Sequence, residues 1–285
     1  MSISLEKTRA PEAEVMRPSP RHVYWLSISL AVVSAVSTAL TFFMSGILTG
    51  PAVTNGNARG TALVMLVLAV PSLLISMRMT VNGSSRAPLV WLGSIGYLLY
   101  NSFLLLFLTP FNSLFLLYVA MFSLCLFSIA ALLRVIDASA LAARLPGLPV
   151  RGLAWYMWTI VFVNVLVWLR GIVPALGADY PPSFMDGTGV ATNPIYIQDL
   201  AFWLPMAALA AWWLWNRRPL GIVLVGAWLV YGLMESIGVA VDQWFGHRAD
   251  PASSFATEAG MVLFGVLAVI GLIPLYFFYR KNQLT

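Results

Sequence analysis

The sequence predicts an all-α, polytopic membrane bundle of about eight helices with both termini on the cytoplasmic side. Three observations carry that prediction: a composition too apolar for water, charge-free runs of membrane-crossing length, and basic residues gathered at alternate ends of those runs. Of the 285 residues, 60% are hydrophobic and 9% charged, against about a quarter charged in soluble domains, and the mean hydropathy is +0.85. Those figures exclude an ordinary soluble fold, a disordered chain and a nucleic-acid-binding module. The net charge of +5 does not point to nucleic acid either, because the basic residues stand singly and in pairs at the ends of apolar runs, where they set membrane orientation.

Taken in chain order, residues 1–21 are polar and proline-containing, with Lys7, Arg9, Arg17 and Arg21 beside Glu6, Glu12 and Glu14. They read as a cytoplasmic tail, mostly disordered. The apolar run from Val23 to about Thr49 is too long for a signal-peptide core of roughly 7–15 residues and no small-residue cleavage pattern follows it, so it reads as a helix that stays in the membrane. Between Arg86 and Arg134, 47 consecutive residues carry no charge. One helix of that length would run about 70 Å, over twice the roughly 30 Å hydrocarbon core. The chain must turn back, and Thr109-Pro110-Phe111-Asn112-Ser113 is the one breaker cluster available.

The same length test gives spans at about 23–49, 61–80, 88–109, 113–134, 153–177, 195–216, 219–245 and 255–279, forming one transmembrane domain over 22–285. An even number of spans returns the chain to its starting side. With the amino terminus inside, thirteen basic residues are cytoplasmic and three (Arg59, Arg170, Arg248) are outside, a strong positive-inside pattern. The longest loops, about 135–152 and 178–194, are too short to be soluble domains. Cys125, the single cysteine, excludes an internal disulfide and reads as a small core residue.

An internal repeat is one reading of the spacing. Pro71 precedes Asn101 by 30 residues and Pro205 precedes Glu235 by the same 30, as a parallel four-plus-four duplication would produce. The other reading is that prolines and interfacial arginines recur in any eight-helix protein.

An ionisable side chain at membrane depth costs roughly 2.5–3.5 kcal/mol on insertion scales, so each needs a partner, a water-filled cavity or a function. Glu235 lies about 15 residues into span seven, which at 1.5 Å per residue places it in the outer third of the bilayer, too deep for an interfacial explanation. Tyr231, Glu235, Gly238 and Asp242 fall at i, i+4, i+7 and i+11, one polar and small stripe on span seven. Asp199 lies about one turn into span six and Glu258 at the start of span eight, where carboxylates also stay hydrated and favour the helix amino terminus. Span five adds Asn164 at mid-depth and Arg170 near its outer end, and Arg170 is the natural counter-ion for Glu235. Asn164 and Arg170 lie about 120° apart on the helix and need not share a pocket. Asn101 of span three, with Arg170, Asp199, Glu235, Asp242 and Glu258, all in the outer half, predicts an outward-facing polar vestibule closed below by apolar helices. Interfacial capping and a single ion pair are the competing account for Asp199, Asp242 and Glu258.

Other chemistries find no support in the sequence. Histidine-ligated haem and zinc lack ligands in the spans, since His22 and His247 lie outside them. A retinal Schiff base lacks a lysine, because Lys7 and Lys281 are both cytoplasmic. Gly93-Ser94-Ile95-Gly96 offers a serine with no base and reads as a helix contact. No cofactor is expected.

Asn193-Pro194-Ile195-Tyr196-Ile197-Gln198-Asp199-Leu200, followed by Leu204-Pro205 and Asn216-Arg217-Arg218-Pro219-Leu220-Gly221, resembles a pattern in an uncharacterised group of bacterial multi-pass membrane proteins, as does Trp91-Leu92-Gly93 through Tyr100-Asn101. The resemblance implies a bacterial cytoplasmic membrane and carries no activity. The residues favour a small-solute or proton-coupled transporter. The alternatives are a sensor, assembly protein or accessory subunit that binds lipid or a membrane protein partner, and, less well supported, a lipid-processing enzyme using Glu235 or Asp242 as general acid or base.

Overall fold

A computed structural model describes residues 15–16, 21–177, 183–185 and 187–280. Most of the charged tail, Asp179, Tyr180, Asp186 and Lys281 lie outside the described residues. The chain is an all-α multi-pass membrane protein. Eight stretches of the described residues are helical, long and apolar enough to cross a membrane, and no strand occurs among them. In order these are α1 (Arg21–Phe43), α2 (Ala52–Val64) continuing through a π-helical turn (Met65–Ala69) into α3 (Val70–Val81), α4 (Ala87–Phe107), α5 (Phe115–Val135), a short α6 (Ala138–Ala143), α7 (Val150–Ala175), α8 (Pro194–Gln198) continuing through a second π-helical turn (Asp199–Trp203) into α9 (Leu204–Trp215), α10 (Pro219–Ala249) and α11 (Glu258–Tyr279). One end of the bundle collects Arg21, Arg78, Arg86, Arg134, Arg144, Arg151, Arg217, Arg218 and Arg280. We call it the arginine-rich end.

Local chemistry explains the boundaries. The α4–α5 hairpin closes where Asn112 Oδ1 accepts from Leu114 N (2.9 Å) and its Nδ2 donates to Pro110 O (2.9 Å). Asn193 caps α8, accepting from Ile195 N and Tyr196 N, and Thr257 caps α11, accepting from Gly260 N. Such side chains satisfy amide donors that the first helical turn leaves without partners.

Three boundaries differ from the sequence reading by four residues or more. The first span ends at Phe43, not near Thr49. The second begins at Ala52, nine residues before the expected 61, because Gly56 and Gly60 lay the polar start of α2 directly on α10. A Cβ on Gly60 would stand 2.6 Å from Asp242 Cα, and one on Gly56 2.6 Å from Phe245 O. The third is α10, which runs to Ala249, four residues beyond its expected end, and makes Glu235 the seventeenth of its 31 residues. Glu235 is therefore near the helix midpoint. In the tail, Val15 is buried and its carbonyl accepts from Asp137 N (2.9 Å), so this part of 1–21 is docked.

The two four-helix halves share unusual local geometry at a constant displacement. The π-turns at Met65–Ala69 and Asp199–Trp203 are 134 residues apart and each is followed by a helix with proline at its second residue, Pro71 and Pro205. Proline cannot donate to the residue four back and its ring clashes there. The widened turn accommodates this: Val70 N reaches Met65 O and Leu204 N reaches Asp199 O, five residues back. Both helices then stop in the same Schellman motif. Gly83 N to Thr80 O and Ser84 N to Met79 O recur as Arg217 N to Leu214 O and Arg218 N to Trp213 O, again 134 on. Gly83 has φ +84° and its counterpart Arg217 φ +53°. These coincidences favour the duplication reading over the recurrence of interfacial residues.

The halves meet where α2 and α4 pack on α10, and α4 is the most enclosed span. They differ at one edge. In the first half α1 packs along α5, whereas α7 packs chiefly on α9 and α11 on α10, with no comparable interface between α7 and α11. That gap positions the site.

Candidate functional site

A cavity of about 600 Å³ is enclosed by α7–α11 of the second half and by α2 and α4 of the first. Asn193, Phe184, Ser254 and Phe255 surround it at the end opposite the arginines, and it reaches inward to Tyr156, Leu204, Trp228 and Gly271. Beyond it, toward the arginine-rich end, the core is apolar, with Leu73, Leu89, Trp91, Leu214, Val223 and Phe278 all buried.

Three acids line the cavity: Asp199, Glu235 and Asp242. The π-turn carries Asp199, which is 9% exposed, and its Oδ2 accepts from Trp168 Nε1 of α7 at 2.9 Å. From α10, Glu235 borders the cavity while its Oε2 accepts from Asn101 Nδ2 at 3.1 Å, and the same Nδ2 group donates to Tyr97 O at 3.1 Å. Asn101 is itself 3% exposed and stands behind the wall. Two turns along α10, Asp242 has its backbone clamped to α2: the Asn57 carboxamide donates to Asp242 O at 3.0 Å and to Val53 O at 3.2 Å. Asp242 Oδ1 is buried without a hydrogen-bond partner among the described residues, and so is Trp228 Nε1.

Among the described residues, no lysine, arginine or histidine lines the cavity. Aromatic rings fill the space between the acids. Trp203 stacks on Tyr231 (centroids 4.5 Å, 11° between planes) and meets Tyr100 edge-on at 5.5 Å, while Trp228 flanks Tyr231 at 5.8 Å. Across the cavity, Trp168 packs on Tyr196 at 4.6 Å and Tyr196 on Phe184 at 5.0 Å. Asp199 joins the two groups, because its π-turn also carries Trp203 and its carboxylate holds Trp168.

The structure thus brings Asp199, Tyr231, Glu235 and Asp242 to one cavity, with Asn101 bonded to Glu235 from behind. Two expected members lie elsewhere. Arg170 is exposed and outside the lining, and among the described residues it forms no ion pair with Glu235. The cause is the face of α7 it occupies: Tyr156, Ile160, Asn164 and Trp168, four residues apart, point into the cavity and Arg170 does not share that stripe. Glu258, 79% exposed, faces His247 at 3.6 Å near the bundle end. An ion pair so exposed contributes little.

Several lining residues had no place in the sequence reading. Asn57 and Thr61 were hidden by the misplaced start of span two, although Gly56-x-x-x-Gly60 is a helix-contact spacing that marks the segment. Trp168 was signalled by its position four residues after Asn164. Trp203 and Trp228 looked like any other membrane aromatic, and only the π-turn and the α4–α10 contact show what they face. Among the described residues no group of three or more His, Cys, Asp or Glu side chains is close enough to hold a metal ion, so the three acids do not converge on one metal-sized site. Compared with known proteins, the chain matches no family model, no curated protein and no solved structure.

Proposed function

We propose that this protein is a transporter whose substrate site is the acidic cavity, with Glu235 as the residue that couples occupancy to movement of a proton or a cationic solute. The observation that carries the reading is a cavity at membrane depth whose charged lining residues, among those described, are all acids. A carboxyl group enclosed in the bilayer region needs a partner, a cavity or a function, and here three share one cavity that no basic side chain among the described residues lines. Proline-interrupted spans at the cavity wall support it, since broken helices recur where transporters bind substrate and π-turns are frequent at functional sites. With the arginine-rich end inside, by the positive-inside rule, the cavity faces outward in a cytoplasmic membrane, as the resemblance to bacterial multi-pass proteins also implies.

A second reading uses the same cavity for binding without translocation, in a sensor or accessory subunit. Its support is the plug of buried apolar side chains, Leu89, Leu214, Val223 and Phe278 among them, in the part of the bundle toward the arginine-rich end. A transporter must open that plug and a receptor need not. Proteoliposomes enclosing a pH-reporting dye separate the two. Transport predicts that one class in a panel of organic cations, amino acids and sugars produces a pH or flux signal above empty liposomes, and that Glu235→Gln abolishes it. Signals indistinguishable from empty liposomes for every class contradict transport.

A further inference from the structure

The edge where the two halves differ gives the cavity a second opening, and its chemistry specifies a ligand. Val163 and Val167 of α7 and Leu263 and Ile270 of α11 line the cavity and are 45–55% exposed, and α7 and α11 make no comparable interface to cover them. The cavity wall is therefore apolar along the edge where these two helices part. A groove that is apolar at its lateral mouth and acidic and aromatic at its base is complementary to a molecule with the opposite arrangement.

We infer that the cavity binds a lipophilic organic cation of the quaternary ammonium or phosphonium type, its charge held between Asp199, Glu235 and the Trp203–Tyr231 rings, its apolar part lying toward the α7–α11 gap. Four observations converge. Acids without a basic neighbour select positive charge. Aromatic faces within about 6 Å attract cations that have no hydrogens to donate, an attraction that strengthens as the site loses water. Carboxylates set apart along the wall do not form the compact oxygen cage that small inorganic cations require. Finally, about 600 Å³ lies inside the roughly 300–1,000 Å³ range of sites for drug-sized molecules. An anionic lipid meets the wrong charge here. Asp242 Oδ1 and Trp228 Nε1, buried without partners among the described residues, leave an acceptor and a donor for polar substituents of the ligand or for ordered water.

This inference deepens the transport proposal by naming the substrate class, and binding alone tests it. Protein in nanodiscs of neutral lipid is titrated with radiolabelled tetraphenylphosphonium and, in parallel, with tetraphenylborate, which has nearly the same size and shape and the opposite charge. The expected result is saturable phosphonium binding above empty nanodiscs, at least tenfold tighter than borate. Alkyltrimethylammonium ions below their micelle concentration should compete better as the chain lengthens. Asp199→Asn and Trp203→Leu should each weaken binding tenfold or more, with folding checked by monodisperse size exclusion. Equal binding of the two tetraphenyl ions, no saturable binding to the unsubstituted protein, or unchanged affinity in folded variants would overturn the inference. The charge comparison needs no variant and stands if every variant unfolds. Phosphonium binding without flux in proteoliposomes keeps the site and removes transport, whereas flux of a neutral solute without phosphonium binding overturns this inference alone.

Discussion

Asn101 shows how a polar side chain in the centre of a membrane bundle is used. Its Nδ2 group serves both Tyr97 O and Glu235 Oε2, which holds the Glu235 carboxyl against α4 and leaves its remaining surface to the cavity. Removing the donor strands a buried acceptor, whereas changing the acid to an amide keeps an oxygen for Asn101. Asn101→Ala should therefore lose about 1–3 kcal/mol, read as a lower thermal midpoint in detergent, while Glu235→Gln stays within about 1 kcal/mol of the parent yet loses ligand response. Equal destabilisation by both would show that the amide–carboxyl bond is not what orients Glu235. Arg170 provides the contrast. Charge and depth alone made it the counter-ion, but its position on the outer face of α7 predicts that Arg170→Ala changes stability by no more than about 0.5 kcal/mol and leaves cation binding unaltered.

Among the elements, α2 and the π-turns do most to shape the site, and both were hard to read in the sequence. The polar run Thr54-Asn55-Gly56-Asn57 looks like a loop by hydropathy, yet it is helix because two glycines let it lie against the α10 backbone. Gly60→Ala must push α2 from α10, since the new Cβ would meet Asp242 Cα at 2.6 Å, and should cost about 1–3 kcal/mol. Gly152→Ala in α7, where a Cβ meets nothing within 4 Å, should instead gain up to about 1 kcal/mol. Thermal unfolding of the pair separates steric contact from helix propensity. A π-turn cannot be read from composition, although the prolines that require it can. Pro205→Ala removes that requirement. Relaxation of Asp199–Trp203 to an α-helix drops one residue from the turn and rotates Asp199 by about 100°, out of reach of Trp168. Phosphonium affinity should fall at least tenfold with folding retained. Unchanged affinity would mean that the turn is held by its neighbours rather than by the proline.

For the whole molecule, eight spans were legible because long charge-free runs and a 30 Å bilayer leave few ways to thread the chain. The cavity was legible only as a list of costly polar residues. What brings them together is the difference between the halves, α1 closed on α5 and α7 parted from α11, and that depends on packing faces rather than on span length or charge. Orientation is a statement at this scale too. A cysteine at position 252, in the loop after α10, should react with a membrane-impermeant maleimide on intact cells, and one at position 82, after α3, only after permeabilisation. Reversed labelling would turn the cavity toward the cytoplasm. The central claim, that an acidic, aromatic cavity in the membrane is built for a cation, is tested most directly by the paired titration of the unsubstituted protein in neutral nanodiscs. The account predicts saturable tetraphenylphosphonium binding at least tenfold tighter than tetraphenylborate; equal affinity for the two ions, or preference for the borate, would contradict it.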